Sequence, residues 1–241
     1  MVNPNLTEVI AVLDRSGSMS LAIQDVLGNY NRFVKEQREG HGECRFTLVI
    51  FDNQIDTVYE ARNVHEIEDL TEETYFARNM TALYDAIGTA INRAGERYSA
   101  MPEHERPGKV VVFISTDGME NASKEFTNQR LKQMIETQTN EFSWEFIFTG
   151  ANIDSDHSAG QINIKRANIT NYSLGTSGVA CLYKNVSQKL RAYRSGDVQC
   201  MSFTPEERAE IESHIGDDDD LSKNQNRSAT FLRSTGAPVT P

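Results

Sequence analysis

Almost unbroken apolar runs constrain this chain more than any other feature. Val9-Ile10-Ala11-Val12-Leu13, Phe46-Thr47-Leu48-Val49-Ile50-Phe51 and Val110-Val111-Val112-Phe113-Ile114 are short and rich in β-branched or aromatic residues. A strand with one wet face alternates apolar with polar residues. Runs without that alternation read as strands covered on both faces, as in a parallel sheet. Strands are predicted at 9–13, 45–52, 56–62, 109–116, 144–150 and 169–174. Stretches with helical period separate them, at 21–39, 81–100, 123–139, 155–161 and 176–194. Strand and helix therefore alternate, which predicts an α/β fold: a doubly wound, mostly parallel six-stranded sheet with helices on both faces. Only Asp52-Asn53 and two further residues join the second and third strands. So short a link forces a hairpin and makes the third strand an antiparallel edge. The first helix is expected to bury Leu21, Val26, Leu27, Phe33 and Val34, and the second Leu83, Ile87, Ala90, Ile91 and Ala94.

Residues 1–200 read as one domain. A helical extension follows over 201–216, opened by Thr204 as N-cap and Pro205 at the first helical position. Residues 217–241 begin with four aspartates and continue rich in Ser, Asn, Thr and Pro, the composition of a disordered tail.

The polar residues that follow the strands carry the chemistry. Asp14, Ser16 and Ser18 sit on alternate residues directly after the first run, with Gly17 between the serines. Thr81 opens the second long helix, and Asp117-Gly118 ends the strand at 109–116. In an open parallel sheet, ligands gather beyond the carboxyl ends of the strands where strand order reverses. Two carboxylates and three hydroxyls there suit a hard divalent cation. Each part has an ordinary alternative: Ser16 and Ser18 as helix caps, Thr81 as an N-cap, Asp117-Gly118 as a turn. Their coincidence at matching element ends favours the metal. Asn152, Asp154 and Asp156 fall near the same sheet edge as polar turn residues, and Asp25 and Asp85 are expected to face solvent.

These five residues resemble the metal-ion-dependent adhesion site of von Willebrand factor type A domains, which is Asp-x-Ser-x-Ser, a distant Thr, and an Asp-Gly after a later strand. The resemblance spans roughly residues 6 to 196. One departure is that Arg78-Asn79-Met80 precede Thr81 where the family often has glycines. The resemblance implies Asp14, Ser16, Ser18, Thr81 and Asp117 as metal ligands, with Mg²⁺ bound, or Mn²⁺ or Ca²⁺ in its place. It implies a module that captures a protein partner through an Asp or Glu of that partner. It also suggests an intracellular bacterial or phage-like member of the family.

Composition narrows the alternatives. The net charge is −11, from 35 acidic and 24 basic residues, which argues against nucleic-acid or anionic-membrane partners. Cys44, Cys181 and Cys200 are odd in number and form no Cys-x-x-Cys, so a zinc site or disulfide framework is not expected and a reducing compartment fits. The five apolar residues of the first run are too few for a secretory signal, so the expected location is the cytoplasm. No enzyme is expected. The histidines lack metal-ligand spacing, and no serine-hydrolase elbow or phosphate-binding Gly-rich loop occurs. A Mg²⁺-dependent phosphohydrolase would place a second acid where Ser16 stands. The remaining alternative is a self-assembling structural subunit whose metal only braces the loops. In that case the acidic tail would dock on a neighbouring copy and make a homo-oligomer.

Overall fold

The apolar runs become the middle of a single sheet. The computed structural model describes residues 1–151 and 153–216. Its strands are β1 (Asn3–Asp14), β2 (Glu43–Phe51), β3 (Ile55–Asn63), β4 (Pro107–Thr116), β5 (Glu145–Ala151) and β6 (Ile169–Tyr172), in the order β3-β2-β1-β4-β5-β6. All neighbouring pairs are parallel except β2 with β3, an antiparallel hairpin at the edge. The chain moves outward from β1 to β2 and β3, then returns to the other side of β1 as β4. Strand order thus reverses between β1 and β4, and the crevice beyond their carboxyl ends is where a doubly wound sheet holds its ligands.

The helices are α1 (Ile23–Arg38), α2 (Leu83–Ala100), α3 (Asn128–Phe142), α4 (Ser155–Gln161), α5 (Thr176–Ser195) and α6 (Pro205–Glu212). Side chains alternate across a strand, so β1 feeds two cores. Val9, Ala11 and Leu13 join Phe33 of α1 and Tyr183 of α5 on one face. Ile10 and Val12 join Ile87 and Ile91 of α2 and Leu131 of α3 on the other. Full burial on both faces is the reason the runs show no polar alternation. Met201, Phe203 and Ile211, from the segment carrying α6, lie in the same core as α1 and α5. Thr204 caps α6 in a reciprocal box with Glu207.

Both outer strands have their edges modified. Along β3 the register against β2 shifts twice, and Ala61 takes a left-handed φ of 45° while its N–H donates to Thr47 Oγ1 at 2.9 Å. At the far edge β6 has four residues, and the Asn171 N–H donates to Glu212 Oε1 of α6 at 3.4 Å.

Three local expectations meet a different outcome. Leu21 belongs to a 3-10 turn, Gly17–Leu21, ahead of α1 and is 85% exposed rather than part of the buried face. α3 starts at Asn128 rather than near 123, because the Asp85 carboxylate accepts the backbone N–H groups of Lys124, Glu125 and Phe126 and holds them outside the helix. Asp85 is accordingly buried, not turned to solvent. The aspartate run and the rest of 217–241 lie outside the described residues, as does Asn152.

Asp85→Ala would leave three backbone donors without their acceptor. It is expected to destabilise the protein by about 3 kcal/mol, since hydrogen bonds to a charged group are worth roughly 1.5–3 kcal/mol and their effects are not additive. Urea unfolding of the variant against the parent measures this.

Candidate metal centre

Three loops meet at the carboxyl ends of β1 and β4. The first leaves β1 as Asp14-Arg15-Ser16-Gly17-Ser18. Its turn is shaped by the Asp14 carboxylate, whose Oδ1 accepts the Ser16 N–H at 2.7 Å. The second precedes α2 and is tied to the first by backbone bonds, Arg78 N–H to Arg15 O at 2.8 Å and Gly17 N–H to Asn79 O at 3.2 Å. The third follows β4. Asn121 grips Thr81 on both sides: its N–H donates to Thr81 O at 3.0 Å and its Oδ1 accepts the Thr81 N–H at 2.9 Å. Gly118 lies so close to Thr81 that a Cβ there would stand 2.7 Å from Thr81 Oγ1, so this position admits only glycine without movement.

The hydroxyls converge on one carboxylate. Ser18 Oγ donates to Asp117 Oδ1 at 2.7 Å, Ser16 Oγ lies 3.4 Å from the same oxygen, and the two hydroxyls are 3.1 Å apart. Ser16 makes no side-chain capping bond to the turn that follows it, and the N-cap of α2 is Ala82, also without a side-chain bond. The helix-cap explanations for Ser16 and Thr81 therefore do not describe these side chains, and Asp117 serves as acceptor for hydroxyls rather than as a bare turn residue.

Asp14 is fully buried, and its carboxyl is pushed up to about 6. Burial is the main cause. Hydrogen bonds from Thr116 and Ser16 oppose it, and the nearby Asp117 carboxylate adds to it. Asp117 is also raised, again chiefly by burial, with the Ser18 and Ser16 hydroxyls pulling the other way. No basic side chain is among the groups that act on either carboxylate. Two buried acids with no positive partner among the described residues are unfavourable as they stand. A divalent cation would neutralise both, and the hydroxyls of Ser16, Ser18 and Thr81 add neutral oxygens of the type a hard cation takes. The residues therefore fit the ion. No group of three or more His, Cys, Asp or Glu that could hold a metal occurs among the described residues. This centre differs by relying on hydroxyls for most of its donors.

Several supporting side chains were not singled out from sequence. Thr116 Oγ1 donates to Asp14 Oδ2, and Tyr75 Oη donates to the Asp14 carbonyl. Arg15, the variable residue inside Asp-x-Ser, is 2% exposed and pairs with Asp52 at 3.0 Å and with Asp56. Arg78 also pairs with Asp52, at 2.6 Å, and the ring of Phe76 lies beneath both guanidinium groups. Asp52 further accepts the Gln54 N–H at 2.7 Å, and its carbonyl accepts the Ala82 N–H at 2.7 Å. Asp52 thus ties the β2–β3 turn to two of the three loops. Arg78 stands where the family often has glycine, and here it acts as a brace. Of the acids placed near the rim, Asp154 caps α4 through the His157 N–H at 2.9 Å, and Asp156 pairs with Arg166 at 2.6 Å.

With this geometry in view, the sequence was found to match the family model of the von Willebrand factor type A domain over residues 8–215. The chain belongs to that family. Similar solved structures include proximal thread matrix protein 1 from the mussel byssus with a zinc-occupied MIDAS motif (13% identity, TM-score 0.53, covering 78% of this chain and 46% of that one). Another is a von Willebrand factor type A protein from Catenulispora acidiphila (13% identity, TM-score 0.52, 79% and 43%). A third is the vWF domain of the type V pili tip protein Mfa5 from Porphyromonas gingivalis (11% identity, TM-score 0.54, 79% and 96%). At such identities the likeness is one of fold. This chain spans less than half of the first two of these proteins and nearly all of the third. No curated protein sequence matches it.

Asp14 sets a pH dependence for the metal-free protein. Its folded value of about 6 lies above the ordinary 3.8, so no penalty exists at pH values where both states are protonated. Between those values the unfolded chain releases the proton and the folded chain keeps it, so stability falls as pH rises and is lowest above about 6. The expected loss from Asp14 is about 3 kcal/mol, at roughly 1.4 kcal/mol per unit. Urea titrations in chelator at pH 4 and pH 7 measure it. Asp52→Ala, which takes from buried Arg15 the buried one of its two carboxylate partners and from Arg78 its 2.6 Å pair, is expected to destabilise by about 3 kcal/mol in the same assay.

Proposed function

We propose that this domain is a metal-dependent protein-recognition module. Asp14, Ser16, Ser18, Thr81 and Asp117 are its metal ligands, Mg²⁺ is its cation, and its partner presents an Asp or Glu carboxylate. One observation carries the reading. The Ser16 hydroxyl makes no helix cap and gathers with that of Ser18 on Asp117, beside a buried Asp14 carboxylate that pairs with no basic side chain among the described residues. Metal-dependent adhesion and protein interaction are the general business of the family, and one relative of the same fold holds zinc in its motif. A divalent ion bound by these five residues supplies a Lewis-acid vertex that a partner's carboxylate can complete.

The protein's own groups do the rest. Asp14 and Asp117 together carry two negative charges, which a dication balances, so the ligand set does not repel a third carboxylate. Asp52, Arg15 and Arg78 hold the loops in register before a partner arrives, which lowers the ordering cost of binding. A carboxylate on a dication near the surface is attracted by several kcal/mol before dehydration is subtracted, at about 4 kcal/mol per unit charge product for ~4 Å and an effective dielectric of 20. The contacts around the ion therefore settle how tight the complex is.

We read the module as a binding domain without catalytic residues and place it in the cytoplasm. No helix among the described residues is long and apolar enough to cross a membrane. A generic aryl-phosphate assay with Mg²⁺ tests the enzymatic rival: turnover abolished by Asp14→Asn would overturn the reading.

Calorimetry with Mg²⁺ is expected to show one site in the parent. Below pH about 6 its apparent affinity should drop about tenfold per pH unit as Asp14 takes up its proton. Asp14→Ala and Thr81→Ala should abolish Mg²⁺-dependent retention of a partner in pulldowns while leaving the circular dichroism spectrum unchanged. Equal partner binding by the parent in EDTA and in Mg²⁺ would sink the mechanism.

A further inference from the structure

The three ligand-bearing loops share a property that the metal does not require. Over residues 16–21, 79–82 and 117–123, the exposed side chains are Ser18, Ser20, Leu21, Asn79, Met80, Met119 and Asn121, and none carries a charge. The one acid there besides the ligand Asp117 is Glu120. Its carboxylate is consumed internally, accepting the N–H groups of Ala122 at 3.0 Å, Ser123 at 2.7 Å and Tyr84 at 2.8 Å. Arg15 and Arg78 are held by Asp52. Charge returns on either side, at Asp25, Glu73 and Lys124. This neutral zone belongs to a chain with 35 acidic residues and a net charge of −11.

The same zone also exposes large apolar side chains. Leu21 is 85% exposed, Met119 66% and Met80 50%, one on each loop, and Phe76 beside the second loop is 42% exposed. Each sits within three residues of a metal ligand, except Phe76, which is five from Thr81. Nothing in the fold calls for a large apolar side chain at these places. Burial elsewhere is met by the two cores, and an exposed Leu or Met contributes to stability only when something covers it.

Resting on the metal reading above, we propose that Leu21, Met80 and Met119 form a neutral apolar collar, and that its occupant is a partner segment with one acidic residue flanked by apolar side chains. Charge decides the choice of occupant. An anionic segment is repelled by the surface of a protein this acidic, but at the collar the one fixed negative charge besides the ligands that the dication neutralises is Glu120, whose oxygens are turned to three backbone N–H groups. A basic segment would instead be drawn to the acidic surface elsewhere and repelled by the ion. The residues flanking the acid are apolar because Leu and the two methionines gain from burial against apolar groups. Methionine's unbranched, polarisable thioether adapts to different shapes, so the collar selects for a class of side chain rather than for one residue.

Two synthetic peptides test this by calorimetry against the full chain: one glutamate between leucine and phenylalanine, and one glutamate between serines. In Mg²⁺ the apolar-flanked peptide is expected to bind about tenfold tighter, equivalent to ~1.4 kcal/mol of burial. Met80→Ser combined with Met119→Ser should remove most of that preference while leaving the affinity of the serine-flanked peptide and the Mg²⁺ affinity unchanged. Both side chains are exposed, so melting temperature serves as a control for folding. Equal Mg²⁺-dependent binding of the two peptides by the parent would overturn the collar and leave the carboxylate reading standing. Binding of neither peptide in Mg²⁺ would sink the carboxylate reading and the collar with it. Apolar-flanked binding that survives EDTA and a glutamine in place of the glutamate would show an ordinary sticky patch and overturn the proposal.

Discussion

A carboxylate buried at the end of the central strand is the constraint around which the rest of this molecule is arranged. Asp14 ends β1, the strand flanked by β2 and β4, and has no exposure to water. A charge in that place must be neutralised or hydrogen-bonded. The protein supplies hydrogen bonds from the Ser16 amide and the Thr116 hydroxyl and, among the described residues, no basic side chain. The outcome is an acid lifted to about 6. Adjacent in sequence, Arg15 has the opposite treatment, with its charge satisfied by Asp52 and Asp56. One dipeptide therefore supplies both an unpaired acid for the site and a paired cation for the scaffold that holds it.

Much of the fold was legible because burial on two faces leaves an unmistakable trace. β1, β2 and β4 were readable as runs, and the hairpin to β3 followed from the length of its turn. That Asp14, Ser16, Ser18 and Asp117 would come together was readable because the first three alternate behind one run and Asp117-Gly118 stands behind another. What escaped the sequence was governed by partners distant along the chain. Asp85 looked like a surface acid because helical period cannot announce that three amides from residues 124–126 will converge on it. The same bonds displaced the start of α3. Leu21 matched the helical stripe, but the chain tightens into a 3-10 turn first, and the change of period rotates that residue outward. Arg15 and Arg78 carried no pattern at all. Only a paired reading of Asp52 and Asp56 in the hairpin, two acids facing two arginines, could have suggested the brace.

In the recognition proposed above, the brace and the collar would divide the labour. Asp52 and its two arginines fix loop geometry from behind, while Leu21, Met80 and Met119 present a charge-free surface in front. A partner then meets a preordered centre whose electrostatics are concentrated at one point. Shape and apolar contact are left to side chains that tolerate variation.

The treatment of the outer strands has a consequence for how this domain can be used. The twice-slipped register and left-handed Ala61 of β3 spoil one margin of the sheet as a template, and Glu212 occupies a backbone donor on the other. Both irregularities disfavour pairing of copies margin to margin. Many copies of the domain can therefore stand side by side with little pull between their own backbones, which leaves the loops at the strand ends as the open face of each.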